Sequence, residues 1–189
     1  MHSALRNAQD EDRGHRRFRG GVESDLYRYF ANRDELILGV ILRSTRRHFD
    51  DIRPRIDKAP TLADGLADFV ALTVRRTGYD QNLRLVFAPE VAGASASIAG
   101  GSKALFTLVD EFLRPYFEAA HARGLLRPGV APDTVAEWIL RIILSLLSID
   151  GPVPPRTETQ TRELVLTYLV PAWLIPEETT EGFQIGPVI

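Results

Sequence analysis

Three observations in the sequence predict an all-helical fold. No segment shows the sustained alternation of apolar and polar residues that is typical of a half-buried strand. Apolar residues instead recur every three or four positions, and glycine or proline separates the segments in which they do so. Apolar side chains make up 44% of the 189 residues, which is enough for a hydrophobic core. A chain of this length corresponds to one large domain, or to one domain with a small appendage.

The composition narrows the class of protein further. The sequence contains no cysteine, so neither a disulfide framework nor thiol chemistry is expected, and a reducing cytoplasm is the expected setting. The N-terminal residues lack the apolar run of a secretory signal, and the longest apolar run, 138–149, is too short to cross a membrane and contains Arg141. The net charge of −2 divides into +3 over residues 1–60 and −5 over residues 61–189. We therefore expect a soluble cytoplasmic protein without a membrane partner and with a slightly basic N-terminal part.

The first thirty residues contain few apolar side chains that could contribute to a hydrophobic core. Residues 1–20 contain only Leu5 and Phe18 as sizeable apolar side chains, so a helix there would be marginal. A short helix is predicted at 22–30, before the break at Ala31.

A longer helix is predicted to begin at Asn32. The Asn32 side chain can cap it, and Glu35, three residues later, can reach back in a variant of the capping box. Apolar residues at helical spacing continue to Ile52, after which Pro54 disfavours a further turn. A cluster of basic side chains is expected on the opposite, solvated face of this helix. The cluster consists of Arg43, Arg46, Arg47 and His48.

Two helices and a loop are predicted in the middle of the chain. Thr61 with Asp64 marks the start of a helix that ends near Gly78, and a shorter helix covers about 81–91. The segment 92–102 (AGASASIAGGS) contains mostly small residues and is predicted to be a mobile loop. The first helix is predicted to bury Leu62, Leu66, Phe69, Val70 and Val74.

Three helices are predicted in the C-terminal part. The first, about 103–123, contains Pro115 and is expected to kink there. The second begins near Pro132, since proline fits a first turn, and is apolar around most of its circumference. Such a helix must be covered on two sides, by its own domain and by a partner chain. The last helix covers about 156–174 and precedes a tail, 176–189, that shows no periodicity.

The sequence contains no pattern that requires catalysis. The order Gly100-Gly101-Ser102-Lys103 differs from that of a phosphate-binding loop, which also follows a strand. None of the four histidines, His48 among them, pairs with another at the spacing of a zinc site, so each is expected to be an ordinary surface residue. Neither a Gly-x-Ser-x-Gly elbow nor a cysteine nucleophile is present. We therefore expect no enzyme, no metal site and no cofactor.

The segment LYRYFANRDEL, residues 26–36, resembles the tetracycline-repressor (TetR) family of bacterial transcriptional regulators. That family commonly shows Gly-Val, a short recognition helix, Leu-Tyr followed closely by Phe, a two-residue turn, a basic residue, acidic residues and Leu. The order and lengths of the later helices agree as well, so that the resemblance covers about 21–175. It implies a homodimeric repressor whose helix-turn-helix heads bind a near-palindromic operator. It also implies a helical body with a pocket for an apolar small-molecule effector that releases the DNA.

The resemblance assigns regions and residues to these roles. Residues 1–50 correspond to the DNA-binding region, 51–175 to the ligand-binding and dimerisation domain, and 176–189 to the C-terminal tail. The DNA-binding residues that it implies are Ser24, Tyr27, Arg28, Tyr29 and Arg33. The candidate ligand-binding residues, each of which taken singly is more often an ordinary core residue, are Phe69, Phe87, Phe106, Phe112 and Trp138. The expected dimer interface consists of Trp138, Ile142, Leu146, Val165, Leu169 and Trp173.

The N-terminal helix-turn-helix is incomplete or altered relative to the family pattern. Only eleven residues separate Gly14 from Leu26, too few for a turn, a helix and a second turn. Three residues, where the family usually has four, lie between Gly-Val and Leu-Tyr. Two of them, Glu23 and Asp25, would repel phosphates. Two explanations remain open: a damaged or misread N-terminus ahead of a normal body, and a real variant that binds DNA poorly. The alternative function is accordingly that of a dimeric, small-molecule-binding helical protein with weak or no DNA binding.

Overall fold

A computed structural model of the chain describes residues 32–149 and 156–176. This part consists of eight α-helices and one π-helical turn, and its only extended pairing is an isolated bridge between Leu126 and Leu174. The all-helical prediction is confirmed. The α-helices are α1 (Arg33–Ile56), α2 (Leu62–Tyr79), α3 (Gln81–Val86), α4 (Ala92–Gly100), α5 (Lys103–Ala122), α6 (Pro132–Ser148), α7 (Glu158–Leu164) and α8 (Val170–Trp173), and the π-helical turn is Val165–Leu169.

The chain divides into two units, Met1–Leu36 and Ile37–Ile189, and the division falls within α1. In the first unit the structure describes only the start of α1. There the Glu35 backbone N–H donates to Asn32 Oδ1 at 2.9 Å, which confirms the predicted cap. The helix predicted at 22–30 lies outside the described residues. The hydrophobic core of the described residues lies in the second unit.

Helix α1 is longer than the sequence predicts. It continues through Pro54 to Ile56, because Ile52 and Ile56 on this last turn are both buried. The turn fits closely against the first turn of α2, where a Cβ placed on Gly65 would lie 3.2 Å from Ile56 Cγ2. Burial of two isoleucines therefore outweighs the cost of a proline near the helix end.

Helix α2 runs through the centre of the core. The Asp64 N–H donates to Thr61 Oγ1 at 3.0 Å, which confirms the predicted start of the helix. Of the five residues predicted to be buried, all but the half-buried Val74 are so. The helix ends at Tyr79, one residue past the predicted cap Gly78, and Asp80 joins it to the short helix α3.

Four rings form an aromatic cluster at the centre, namely Phe49, Phe69, Phe112 and Tyr116, and they come from α1, α2 and α5. The ring centroids of Phe49 and Phe112 lie 4.3 Å apart, and those of Phe69 and Phe112 lie 5.3 Å apart. Each pair stabilises the fold beyond the area that it buries. The cluster therefore ties three helices together.

The prediction of a mobile loop at 92–102 is wrong, because Ala92–Gly100 forms helix α4. Alanine is the strongest helix former, and small side chains let this helix approach α6 closely. A Cβ on Gly100 would lie 3.5 Å from Leu144 Cδ1. Ser95 is fully buried and donates to the Val86 carbonyl at 2.6 Å, which fixes the helix against the end of α3.

The last predicted helix is divided by the π-helical turn. In a regular α-helix, residues five apart differ in direction by about 140°, so that Val165 and Val170 could not both face the core. The π-helical turn places both of them in it. Upstream of the turn, Arg162 forms ion pairs with Asp64 and Asp68 of α2. The helix therefore packs along α2 on both sides of the turn.

Candidate functional site

A cavity of about 60 Å³ lies within the helical body. Helices α1, α2, α5 and α6 contribute to its walls, together with the end of α3. Most of its lining is apolar, as expected for a site that takes a small organic molecule. The apolar lining residues are Ile41, Phe49, Phe69, Leu83, Phe87, Leu105, Val109, Leu140, Ile143, Leu144 and Leu147.

One wall of the cavity is polar, and it is formed where α1 faces α2. Ser44, Thr45 and His48 come from α1, and Thr73, Arg76 and Thr77 come from α2. In each set one residue lies three and four positions from an adjacent pair, so the three share one side of their helix. We call these six residues the polar wall.

The hydroxyl protons of the polar wall are largely engaged within the protein. The Thr73 hydroxyl donates to the Phe69 carbonyl at 2.7 Å, and the Thr77 hydroxyl donates to the Thr73 carbonyl at 3.2 Å. The Ser44 hydroxyl donates to Asp80 Oδ2 at 3.3 Å. Towards the cavity, these three hydroxyl groups therefore present acceptors rather than donors.

His48 is buried, so its predicted place on a solvated face is wrong. Its Nε2 lies 2.9 Å from Thr73 Oγ1, and Nε2 must be the donor because the Thr73 proton is already given to Phe69. Burial, and to a lesser extent the charge of Arg76, lower the pKa of His48 to about 4 against the opposing effect of Asp51. The imidazole is therefore neutral at pH 7. The sequence shows a polar residue here but not that α2 covers this side of α1.

The shifted pKa makes stability depend on pH in a definite direction. In the unfolded chain His48 takes up its proton near its ordinary value of 6.5, whereas in the folded protein it does so only near 4. The unfolded state therefore gains a proton first, and stability falls as the pH is lowered through this window. Between about pH 7 and pH 4.5, His48 should remove about 2–3 kcal/mol of unfolding free energy.

We expect His48→Gln to abolish this part of the pH dependence, because glutamine can still donate to Thr73 but does not titrate. Urea unfolding across the pH range measures it, as the difference between variant and parent protein. His121→Gln is the matched control, since His121 is exposed. A difference curve that is flat for His48→Gln would show that the imidazole does not titrate in this way.

Arg76 is the one charged side chain of the polar wall at neutral pH. Its Nη1 lies 3.3 Å from Asp51 Oδ2, which is a partly solvated pair. Its Nε is buried and has no hydrogen-bond partner within residues 32–149 and 156–176. A buried donor without a partner costs free energy in the empty protein, and an acceptor supplied by a ligand would recover it.

Arg76 and His48 also line an open groove on the other side of the polar wall. The groove runs between α1 and α2 and is bordered by Asp51, Arg75 and Tyr79. The two side chains thus separate the cavity from solvent.

Of the five predicted ligand-binding residues, Phe69 and Phe87 line the cavity. Phe112 is buried behind Phe69 in the aromatic cluster. Phe106 borders a separate shallow groove beside Arg141, and Trp138 is 54% exposed. The polar wall is not among the residues predicted from the sequence, although polar residues that recur on one side of each helix are a signal that could have identified it.

The predicted dimer residues occupy different environments. Trp138, the half-buried Ile142 and Ile149 lie four and seven residues apart, on one side of α6 and its C-terminal cap, and we call them the uncovered stripe. Leu146, Leu169 and Trp173 are partly buried against the core of their own chain. Val165 is fully buried in that core and offers no surface to a partner.

Of the implied DNA-binding residues, only Arg33 belongs to the described part of the chain. It is exposed and is the first residue of α1, where free backbone N–H groups also favour an anion. The other four, Ser24, Tyr27, Arg28 and Tyr29, lie outside the described residues. Within 32–149 and 156–176, no helix is long and apolar enough to cross a membrane, and no group of acidic or histidine side chains could hold a metal ion.

Comparison with known proteins finds two curated relatives, both from Mycobacterium tuberculosis. They are described as uncharacterized HTH-type transcriptional regulators, one from strain CDC 1551 / Oshkosh and one from strain ATCC 25618 / H37Rv. Each is 28% identical to this chain over 155 residues, which is 80% of this chain and 69% of the relative. No protein-family profile matches the chain, and no solved structure does.

Proposed function

We propose that this protein is a DNA-binding transcriptional regulator of the TetR type, a repressor that acts in the cytoplasm and releases its operator when a small ligand binds. The observation that carries the proposal is the similarity over 155 residues to two HTH-type transcriptional regulators. The TetR-like segment at 26–36 supports the type of regulator. The cavity in the helical body supports the ligand response.

Helix α1 provides a physical connection between the two activities. It begins at Arg33, within the TetR-like segment, and farther along it contributes Ser44 and His48 to the polar wall. A ligand that fits better when α1 is displaced would favour a state in which the two heads are wrongly spaced for the operator. The shift cannot exceed the difference between the ligand's affinities for the two states.

A homodimer is part of the proposal, because a near-palindromic operator needs two heads about one helical turn apart. The uncovered stripe supports it. Trp138 and Ile149 are exposed in the single chain, on the side of α6 that is turned away from the core. An aromatic anchor on such a stripe is typical of the centre of an interface.

DNA binding is tested by fluorescence anisotropy on duplexes selected from a random pool, over a series of salt concentrations. If the dimer neutralises about six phosphates, its affinity should fall roughly a thousandfold between about 50 and 200 mM salt. Arg33→Gln should lower the slope of log affinity against log salt by about one for each Arg33 contact. Arg43→Gln, an exposed arginine farther along α1, is the matched control and should leave the slope unchanged.

The alternative is a dimeric small-molecule-binding protein with weak or no DNA binding. The acidic residues Glu23 and Asp25, at positions that would face DNA, favour it. The same experiment separates the two functions. Salt-sensitive binding to the selected duplexes supports the regulator, whereas a lack of binding to any duplex supports the alternative.

A further inference from the structure

We propose that the cavity binds an amphipathic molecule with a short apolar body and one anionic head, such as a carboxylate, and that Arg76 holds the head. The inference rests on the proposed ligand response and names the chemical class of the ligand. Three observations lead to it: the charge of the lining, the direction of its hydrogen bonds, and the position of Arg76.

The charge of the lining favours an anion. Seventeen residues line the cavity, and with His48 neutral Arg76 is the only charged one among them. Asp51, its ion-pair partner, lines the outer groove and not the cavity. A cationic ligand would meet the like charge of Arg76 in a largely apolar lining that contains no carboxylate, and repulsion is least screened there.

The hydrogen bonds of the polar wall favour an acceptor. Ser44, Thr73 and Thr77 give their protons to other protein atoms. His48 gives its Nε2 proton to Thr73. Among the buried polar atoms of the wall, the Arg76 Nε–H is the donor that has no partner in the described part of the chain. A carboxylate oxygen would satisfy it with a charge-assisted hydrogen bond, which is about twice as strong as a neutral one.

The position of Arg76 sets the orientation of the ligand. Arg76 and His48 line both the cavity and the outer groove, so a head bound there lies at the boundary between them. The apolar body then points inward, towards Phe87, Leu105 and Leu144. A cavity of about 60 Å³ has room for a few water molecules, so it would take the inner carbons of a short chain whose head lies at this boundary.

The test compares three ligands with the same six-carbon chain, namely hexanoate, n-hexanol and n-hexylamine, by isothermal titration calorimetry on the full-length protein at neutral pH. Hexanoate should bind tightest and hexylamine weakest. Arg76→Met should weaken hexanoate roughly tenfold to a hundredfold and leave hexanol within about twofold, because only the charged head loses its partner. Retained hexanol binding also shows that the variant is folded and that its cavity is intact.

Two further variants sharpen the test. Arg75→Met is the matched control, since Arg75 lies in the groove but not in the cavity and pairs with Glu158 at 2.6 Å. It should leave hexanoate binding unchanged. Asp51→Asn removes the carboxylate that competes for Arg76 and should tighten hexanoate binding. If hexanoate binds no better than hexanol, or binds Arg76→Met as tightly as the parent protein, the inference is wrong.

Failure of this inference can be told apart from failure of the proposed function. Salt-sensitive DNA binding that persists while none of the three ligands binds would overturn the ligand class and leave the regulator standing. If hexanoate binds through Arg76 but the protein binds no DNA duplex, the ligand class is supported and the DNA-binding function is overturned.

Discussion

We expect the Phe69→Ala variant to lose about 3–5 kcal/mol of unfolding free energy, which is a large part of the stability of an ordinary domain. The Phe69 side chain is fully buried on α2, and its ring packs against those of both Phe49 and Phe112. Removing it takes away two ring contacts and leaves a void that opens into the existing cavity. The surrounding helices cannot close that void without separating the other members of the aromatic cluster. Urea denaturation followed by circular dichroism measures the loss.

Tyr79→Ala is the matched control for this prediction. Tyr79 is an aromatic residue on the same helix, but it is 81% exposed, so its removal should change stability by no more than about 0.5 kcal/mol. If Phe69→Ala were as stable as Tyr79→Ala, the aromatic cluster would not be the centre of the core.

We expect the Trp138→Asp variant to raise the dissociation constant of the proposed homodimer roughly a hundredfold to a thousandfold. A central interface aromatic typically contributes 2 kcal/mol or more, and a two-fold axis makes each substitution count twice. An introduced carboxylate on the uncovered stripe would also face its own copy. Because Trp138 is already 54% exposed in the single chain, the fold of the monomer should be unaffected. Sedimentation velocity from nanomolar to micromolar concentration measures the change.

Leu85→Asp provides the control for the dimer. It places the same charge on a leucine that is 72% exposed and lies on α3, away from α6. It should sediment like the parent protein. A parent protein that remains monomeric at micromolar concentration would remove the dimer from the proposed function. So would a Trp138→Asp variant that dimerises normally.

Helices whose starts are marked by residues at the start itself could be predicted from the sequence. Asn32, Thr61 and Pro132 mark helix starts through their own side chains, and the structure places helix starts there. The segment 92–100 carries no such signal, since its small residues are equally compatible with a loop. Its helix depends on how closely its backbone can approach α6, which is a tertiary contact between distant parts of the chain.

The candidate site could be predicted only in part for the same reason. Phe69 and Phe87 belong to apolar segments that any core would use, and they reach the cavity. His48 and Arg76 belong to stretches that look solvated, because a sequence shows which residues share a helix face but not which other helix covers it. Trp138 shows the opposite: it is a large aromatic residue on an apolar helix, yet its side chain is exposed.

The π-helical turn in the last helix has a consequence for how this chain aligns with relatives. Such a turn accommodates one extra residue while the helix on either side keeps its direction. Here Val165 and Val170 both stay in the core, and Tyr168 between them is exposed. A relative with a regular helix can therefore be one residue shorter at 165–169 and still match the hydrogen bond from Arg127 to the Trp173 carbonyl beyond it. The last helix thus tolerates a single-residue insertion or deletion at a defined place, and an alignment through it needs its gap there.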